Sequence, residues 1–178
     1  MPSDLDDHFA RIGLVAFDVD GTLTDGRILM DGNGMDSVAF HVADGLAIRV
    51  LLESGIPVAF ISGRRSQAAL ARAQKIGVKH AHTGVKDKPA LLRKIAEEEG
   101  VELENVLFAG DDLPDLTVLD IVGLPVATAD AFPEVKARAR FVTEHAGGTG
   151  VARELAERLL KSRGAWDRAI ARFTEPPA

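Results

Sequence analysis

The chain has 178 residues, of which 46% are hydrophobic and 27% are charged, a composition typical of one globular domain with a substantial core. It contains no cysteine, which excludes disulfides, thiolate nucleophiles and cysteine-ligated metal sites. The net charge of −6 argues against a nucleic-acid partner, and the apolar runs are far shorter than the roughly 20 residues that span a membrane.

The chain begins with an acidic segment, residues 1–7, which lacks the basic and apolar regions of a signal peptide. We therefore expect a cytoplasmic protein. Chain ends are usually frayed, so residues 1–10 and 165–178 are predicted to be flexible ends of a single domain that spans residues 1–178.

Short apolar runs rich in β-branched residues alternate with longer amphipathic segments. This alternation predicts an α/β fold with a Rossmann-like, doubly wound parallel sheet covered by helices. Gly55, Gly77 and Gly100 follow helix candidates directly, as left-handed helix caps do. The predicted strands are 12–17, 58–61, 79–82, 106–109, 125–127 and 141–143. The predicted helices are 46–54, 67–76, 89–99, 113–121, 135–138 and 151–161.

One segment interrupts the alternation after the first predicted strand. Two short runs, 27–30 and 37–42, flank the sequence Asp31-Gly32-Asn33-Gly34, which is a strong hairpin turn signal. The sequence therefore predicts a β-hairpin insertion between the first strand and the first long helix.

Polar residues follow four of the predicted strands, at the edge where open parallel sheets bind ligands. Carboxylates gathered at one edge repel each other unless a cation neutralises them, and oxygen ligands favour Mg²⁺. A lysine and a hydroxyl add the capacity to bind an anion, so the set predicts a phosphate site beside a magnesium ion. Each residue alone is also compatible with a turn, a helix cap or a solvated charge. The set is Asp18, Asp20, Ser62, Lys88, Asp111, Asp112 and Asp115.

These residues also resemble a known family. The segment Asp18-Val19-Asp20-Gly21-Thr22-Leu23-Thr24 resembles the first motif of the haloacid dehalogenase (HAD) superfamily. Ser62, Lys88 and the segment 110–115 resemble its second, third and fourth motifs in the right order. More narrowly, segments 40–49 and 147–154 are similar to those of phosphatases that act on 3-deoxy-D-manno-octulosonate 8-phosphate (KDO 8-phosphate).

The resemblance implies a Mg²⁺-dependent phosphatase with the HAD fold. Asp18 would be the nucleophile that forms an aspartyl-phosphate, and Asp20 would protonate the leaving oxygen and then activate water. Ser62 and Lys88 would hold the phosphoryl oxygens as charge moves in the transition state.

The resemblance also implies how the metal is held. Asp18, Asp111 and the main-chain carbonyl of Asp20 would be its ligands. Asp115 would orient Lys88 or a metal-bound water from behind, and Asp112 is expected to act in a similar way.

Substrate contacts are implied in the same manner, and arginine suits a sugar acid because its planar fork pairs with a carboxylate or phosphate. Arg49 and Arg72 also fit ordinary surface charges on helices. His41 and Ala43 replace the asparagine and arginine usual in the family, so phosphatases of nine-carbon 2-keto-3-deoxy acid 9-phosphates stay an alternative. The implied contact residues are His41, Val42, Ala43, Asp44, Gly45, Arg49, Arg64, Arg72 and Lys88.

The spacing of the motifs leaves no room for a cap domain. Only a hairpin and a helix separate Asp20 from Ser62, and one helix and one strand separate Ser62 from Lys88. A capless site needs another cover to exclude water and select a sugar phosphate. By resemblance, we expect a homotetramer whose hairpins form a small barrel and whose neighbouring subunits cover each site.

Two further classes of function stay open. A phospho-accepting signalling receiver also combines an aspartate, Mg²⁺ and a lysine, but its acceptor follows the third strand rather than the first. A non-catalytic phosphatase-like binding domain would share the fold, although the core motif residues are all present here.

Overall fold

The computed structural model describes residues 4–34 and 36–173. The strands are β1 (Leu14–Phe17), β2 (Leu29–Met30), β3 (Asp36–Ser37), β4 (Val58–Ser62), β5 (His80–Thr83), β6 (Val106–Gly110), β7 (Leu124–Ala127) and β8 (Phe141–Val142). The helices are α1 (Asp4–Arg11), α2 (Val42–Glu53), α3 (Gln67–Ile76), α4 (Lys88–Glu98), α5 (Leu116–Leu119), α6 (Pro133–Lys136), α7 (Val151–Ser162) and α8 (Trp166–Ile170).

Six strands form a parallel sheet in the order β5-β4-β1-β6-β7-β8, and β2 pairs with β3 in a separate antiparallel hairpin. The strand order reverses beside β1, because the chain runs outward through β4 to β5 and then returns to β6. Ligands of such sheets bind at the carboxyl ends of the strands beside this reversal. The predicted doubly wound α/β fold and the hairpin insertion are therefore confirmed.

Helices cover both faces of the sheet, so its central strand is buried completely. Alternate residues of a strand point to opposite faces. In β1, Val15 and Phe17 join the core formed with α1, α2, α3 and α7, whereas Leu14 and Ala16 join the core formed with α4, α5 and α6. Burial on both faces explains why the sequence of this strand is a continuous apolar run.

Two predicted helices differ from the structure by more than two residues at one end, for local reasons. Helix α2 begins at Val42 rather than at residue 46, because the ring of His41 caps its first turn by accepting the N–H of Ala43. The predicted helix 113–121 is a 3-10 turn, Leu113–Asp115, followed by the single turn of α5. A capping box formed by Asp112 and Asp115 starts the 3-10 turn.

Both chain ends contain helices that pack on the core, and their flexibility stays a prediction. Helix α1 packs the fully buried ring of Phe9 edge-on against Phe141, with ring centroids 5.5 Å apart. Near the other end, α8 places Trp166 below the guanidinium of Arg153, 5.0 Å from the ring centre. Both helices therefore contribute apolar contacts to the core. Residues 1–3 and 174–178, which the same prediction covers, lie outside the described residues.

The connections between the motif strands are short. Between β1 and β4 the chain forms the β2–β3 hairpin and α2, and between β4 and β5 it forms α3. Over the described ranges 4–34 and 36–173, neither connection contains a cap domain, as predicted. Within the same ranges, the structure contains no helix of the length and apolarity that crossing a bilayer requires.

Candidate active site

The carboxyl ends of the central strands surround a cavity of about 240 Å³. Asp18 follows β1 directly, and its main-chain N–H donates to the carbonyl of Ala109 on β6 (2.9 Å). Larger surface hollows, of about 660, 570 and 400 Å³, are lined by other residues. The smaller cavity is nevertheless the candidate site, because it gathers six of the predicted catalytic, metal and orienting residues: Asp18, Asp20, Ser62, Lys88, Asp112 and Asp115.

Lys88 joins two buried carboxylates at the floor of this cavity. Its Nζ lies 2.6 Å from Oδ1 of Asp18 and 2.7 Å from Oδ1 of Asp115, and all three residues are at most 6% exposed. Burial opposes the charge of Lys88, but the two carboxylates outweigh burial and raise the pKa of its ammonium group. The lysine is therefore held in its charged form.

Three carboxylates converge at the same place. Asp18, Asp111 and Asp115 each offer an oxygen, and these atoms all lie within 4.8 Å of one another. Burial, followed by the charge of Asp115, raises the pKa of Asp18 to about 7. Burial, followed by the charge of Asp18, raises the pKa of Asp111 to about 8. One ammonium group leaves this cluster short of positive charge, and its oxygen donors suit a hard divalent cation such as Mg²⁺.

Asp115 holds the motif around it together. Its Oδ2 accepts the main-chain N–H groups of Asp111 (3.0 Å) and Asp112 (3.4 Å), while its Oδ1 faces Lys88. The side chain of Asp112 accepts the N–H of Leu113 (2.7 Å) and so caps the following turn. Both contacts are of the kind expected from orienting residues.

Both carboxylate oxygens of Asp20 are engaged. Oδ2 accepts the hydroxyl of Ser62 (3.1 Å), and Oδ1 accepts Nε (3.2 Å) and Nη2 (2.5 Å) of Arg64. Nη1 of the same guanidinium donates to Asp36 on the hairpin strand β3. The bond to Asp20 is the largest cause that raises the pKa of Arg64. Arg64 therefore links the hairpin to Asp20.

Other predicted substrate residues gather around a different, very small cavity of about 10 Å³, and Arg72 and Gly45 are among them. Nη2 of Arg72 donates to the carbonyl of His41 (3.3 Å), and its guanidinium lies 5.9 Å from the ring centre of Phe40. A Cβ on Gly45 would lie 2.0 Å from Nη2 of Arg72, so the glycine makes room for the arginine.

The side chain of Asp44 is buried and bonded to the main chain. It is 3% exposed, and its Oδ1 accepts the N–H of Arg153 at the start of α7 (2.9 Å). Burial raises its pKa, and its Oδ2 has no hydrogen-bond partner among the described residues.

Of the nine implied contact residues, only Arg64 and Lys88 line the cavity that contains Asp18. His41, Asp44, Gly45 and Arg72 line the small cavity instead, and Val42, Ala43 and Arg49 line neither. Arg49 lies on the exposed side of α2, 3.8 Å from Glu53, which is the surface-charge arrangement weighed from the sequence. Val42 is 81% exposed.

The structure adds two polar residues that sequence reasoning missed. Thr22 donates its hydroxyl to Oδ1 of Asp111 (3.1 Å), and Asp36 binds Arg64. Thr22 belongs to the first motif, so its position beside the nucleophile segment was an available signal. Nothing in the sequence around Asp36 marks it.

Comparison with known proteins agrees with this geometry. Residues 83–155 match the family of haloacid dehalogenase-like hydrolases. The chain is 42% identical over 159 residues to the 3-deoxy-D-manno-octulosonate 8-phosphate phosphatase KdsC of Escherichia coli. The aligned residues cover 89% of this chain and 85% of that protein. This chain belongs to the KDO 8-phosphate phosphatase family.

Solved structures show the same family likeness. A hypothetical protein from Xanthomonas campestris is 46% identical, with a TM-score of 0.94 over 98% of this chain and 96% of that one. A KDO 8-phosphate phosphatase from Moraxella catarrhalis, in complex with magnesium, phosphate and KDO, is 35% identical, with a TM-score of 0.92 over 96% and 98% of the two chains. The expected membership of the KDO 8-phosphate phosphatase family and its HAD fold are thus confirmed.

Proposed function

We propose that this protein is a Mg²⁺-dependent phosphomonoesterase that hydrolyses KDO 8-phosphate to KDO and phosphate. The observation that carries this proposal is the 2.6 Å contact between Lys88 and Asp18 in a cavity that Asp20 and Ser62 also line. The names of the curated relatives, and the magnesium, phosphate and KDO in the Moraxella structure, support the substrate and the metal.

In the first step, a carboxylate oxygen of Asp18 attacks phosphorus. The bond between phosphorus and the sugar oxygen breaks, and Asp20 donates a proton to that oxygen as it leaves. Lys88 and Ser62 stabilise the phosphoryl oxygens while their charge changes. Asp20 is hydrogen-bonded to Ser62, so the incoming phosphate group must exchange with Asp20 for the Ser62 hydroxyl.

In the second step, Asp20 takes a proton from water as the water oxygen attacks the aspartyl-phosphate. The bond between phosphorus and Asp18 breaks, and the carboxylate is restored. Asp18, Asp111 and the Asp20 carbonyl would hold Mg²⁺, which would supply the positive charge that an anionic nucleophile needs in order to approach an anionic phosphate.

Substrate selection is proposed to use Arg64 as well as Lys88, because both line the cavity. Nε, Nη1 and Nη2 of Arg64 all donate to Asp20 or Asp36 in this structure, so a substrate carboxylate would have to replace one of these partners. The roles of His41, Ala43 and Arg72 in substrate binding stay predictions.

We further propose a homotetramer. The hairpin exposes large apolar side chains, with Leu29 at 74% and Met30 at 71%. Exposed apolar side chains on so short a hairpin favour association with other subunits, because association would bury them. A hairpin interface would also bring a neighbouring chain near the open cavity, because Ile28 at the base of the hairpin lines it. The expected cytoplasmic location stays a prediction.

The test is phosphate release with Mg²⁺ from a panel of substrates. It contains KDO 8-phosphate, 2-keto-3-deoxynonulosonate 9-phosphate, N-acetylneuraminate 9-phosphate and common sugar phosphates. We expect a strong preference for KDO 8-phosphate, and no turnover by Asp18→Asn. Asp120→Asn, which changes a half-exposed aspartate paired with Arg138, is the matched control with wild-type activity.

Other results of this assay would favour one of the alternative functions. Preference for a nine-carbon acid would assign the His41 and Ala43 departures to specificity. A long-lived aspartyl-phosphate without released phosphate would indicate a signalling receiver. Binding of Mg²⁺ and sugar acids without any hydrolysis would indicate a binding domain, and an active Asp18→Asn protein would remove the assigned nucleophile.

A further inference from the structure

The loop between β8 and α7 packs its backbone directly against the turn that follows β1. The N–H of Gly148 donates to the carbonyl of Thr22 (3.0 Å). A Cβ on Gly147 would lie 1.9 Å from the carbonyl oxygen of Gly21, and a Cβ on Gly148 would lie 2.5 Å from the nitrogen of Asp25. Two stretches of main chain thus touch with no room for a side chain between them.

The turn that this loop touches carries the proposed chemistry. Asp20 is its first residue after Val19, and Thr22 within it binds Asp111. The turn is closed on its own side by the carbonyl of Val19, which accepts the N–H of Leu23 at 3.0 Å. On its other side it rests on the glycine loop, residues 147–150.

One carboxylate binds the glycine loop itself, and two others bind the residues on either side of it. Oδ1 of Asp130 accepts the N–H of Gly147 (2.9 Å), and Oε2 of Glu154 accepts the N–H of His145 (3.1 Å). The buried Asp44 binds the start of α7, which follows the loop. These contacts come from three different parts of the chain, so the loop is a fixed support rather than a free connection.

We propose that Gly147 and Gly148 are positioning residues that set where the turn places Asp20 relative to Asp18 and Asp111. The proposal rests on the proposed function, in which Asp20 is the general acid and base. Neither glycine lines the cavity, so substrate binding should change little when they are replaced. Turnover should change strongly, because a displacement of about 1 Å in a reacting group lowers rates about 100-fold.

The sharpest variant is Gly148→Ala, and the protein offers a matched control. Gly148 and Gly164 have nearly the same backbone conformation, with φ of +69° and +60°, but only Gly148 has neighbours within 4 Å of an added Cβ. The intrinsic strain of alanine is therefore the same in Gly164→Ala. We expect kcat of Gly148→Ala to fall roughly 10- to 100-fold with KM within about twofold, and both constants of Gly164→Ala to stay within about twofold of wild type.

A second pair of variants weakens the support without a steric clash. Asp130 is exposed, and Asp130→Ala removes the acceptor for Gly147, whereas Asp130→Asn retains a side-chain oxygen that accepts the same N–H. We expect Asp130→Ala to lower kcat about threefold to tenfold at unchanged KM, and Asp130→Asn to restore it. This pair decides the question if Gly148→Ala does not fold.

A measurement without substrate keeps the two proposals separate. Each variant is titrated with Mg²⁺ alone, and binding is monitored by the increase in unfolding temperature. Gly148→Ala should bind Mg²⁺ more weakly than Gly164→Ala, because Thr22, which binds Asp111, shifts with the turn. Wild-type kcat in folded Gly148→Ala, or equal losses in Gly148→Ala and Gly164→Ala, would overturn the positioning role. If the wild type releases no phosphate, the proposed function fails, and equal Mg²⁺ binding by the two variants would then overturn the positioning role.

Discussion

The ammonium group of Lys88 lies 2.6 Å from the carboxylate of Asp18, and both side chains are buried at the point where the strand order reverses. The two residues are 70 positions apart in the chain. Their contact joins the first and third motifs and places a fixed positive charge where a phosphate group would bind. It also leaves more carboxylates than cations in the cluster, which prepares the cluster for a metal ion.

Removal of this lysine should damage both stability and activity. Lys88→Met leaves Asp18 and Asp115 buried without their ammonium partner, and loss of one partner from a buried ion pair lowers stability by about 3–5 kcal/mol. The measurement is the free energy of unfolding, obtained by urea denaturation at pH 8 with EDTA, and it should decrease by this amount. Phosphate release should fall on the order of 100- to 1,000-fold.

The matched control for this variant is Lys94→Met, which removes a lysine with a 72% exposed side chain from the same helix. Its stability and activity should both stay close to wild type. Equal stability of Lys88→Met and wild type in EDTA would contradict the buried pair.

The stability of the metal-free protein should fall as the pH rises from about 5 to 8. The pKa values of Asp18 and Asp111 are raised to about 7 and about 8, so the folded state keeps protons that the unfolded chain has already released above pH 4. Their ionisation therefore destabilises the folded state, and Mg²⁺ opposes this by binding the ionised form.

The measurement is the unfolding temperature at pH 6 and pH 8, in EDTA and in Mg²⁺. We expect a larger increase on Mg²⁺ addition at pH 8 than at pH 6. Asp111→Asn should flatten the pH dependence in EDTA and shrink the effect of Mg²⁺. A larger Mg²⁺ effect at the lower pH would show that these carboxylates do not control metal binding.

Replacement of Arg64 should slow the hydrolysis of sugar acid phosphates far more than the hydrolysis of an activated phosphate ester. The guanidinium of Arg64 binds both Asp20 and Asp36. In Arg64→Lys, a single point charge replaces that planar fork. We expect kcat/KM for the sugar acid phosphate to fall at least about tenfold. Hydrolysis of p-nitrophenyl phosphate should change by less than about threefold, because its phenolate leaves without strong protonation and it carries no carboxylate.

The control for Arg64 is Arg65→Lys, which alters the adjacent exposed arginine of the same loop and should leave both substrates unaffected. An equal loss on both substrates would mean that Arg64 acts on the phosphate group itself.

The hairpin should control assembly. Leu29→Glu together with Met30→Glu places charges on its exposed apolar surface, and buried unpaired charges oppose subunit association. Light scattering should give about four times the 19.0 kDa chain mass for the wild type and a smaller mass for the double variant. Val142→Glu, at a 40% exposed apolar residue of β8, should retain the wild-type mass. A wild-type monomer with full activity would remove the case for a tetrameric cover.

Much of the site was predictable because it depends on local order along the chain. Buried parallel strands have apolar runs that are visible in the sequence, and residues directly after such strands meet at one edge of the sheet. That reasoning correctly placed Asp18, Ser62 and Lys88 around one cavity. The ends of the six parallel strands were predicted to within two residues, whereas the hairpin run predicted over 37–42 ends at Ser37.

Other features depend on contacts between distant segments. Phe9, near the start of the chain, packs in the core beside Phe141. The carboxylate of Asp44 accepts the N–H of Arg153, 109 positions later, and its substrate contact stays a prediction. Neither outcome has a signature in the local sequence.

The sequence by itself thus determined the class of fold, the polar residues that follow each strand and the oxygen ligands available to a metal. Apolar periodicity and residue type are properties of the chain alone. Only the tertiary structure decided that Arg64 reaches both Asp20 and Asp36, and that the backbone at Gly147 touches the turn at Gly21. Such contacts depend on how packed elements lie in space, and a main-chain approach without side chains leaves no mark except the glycines that permit it.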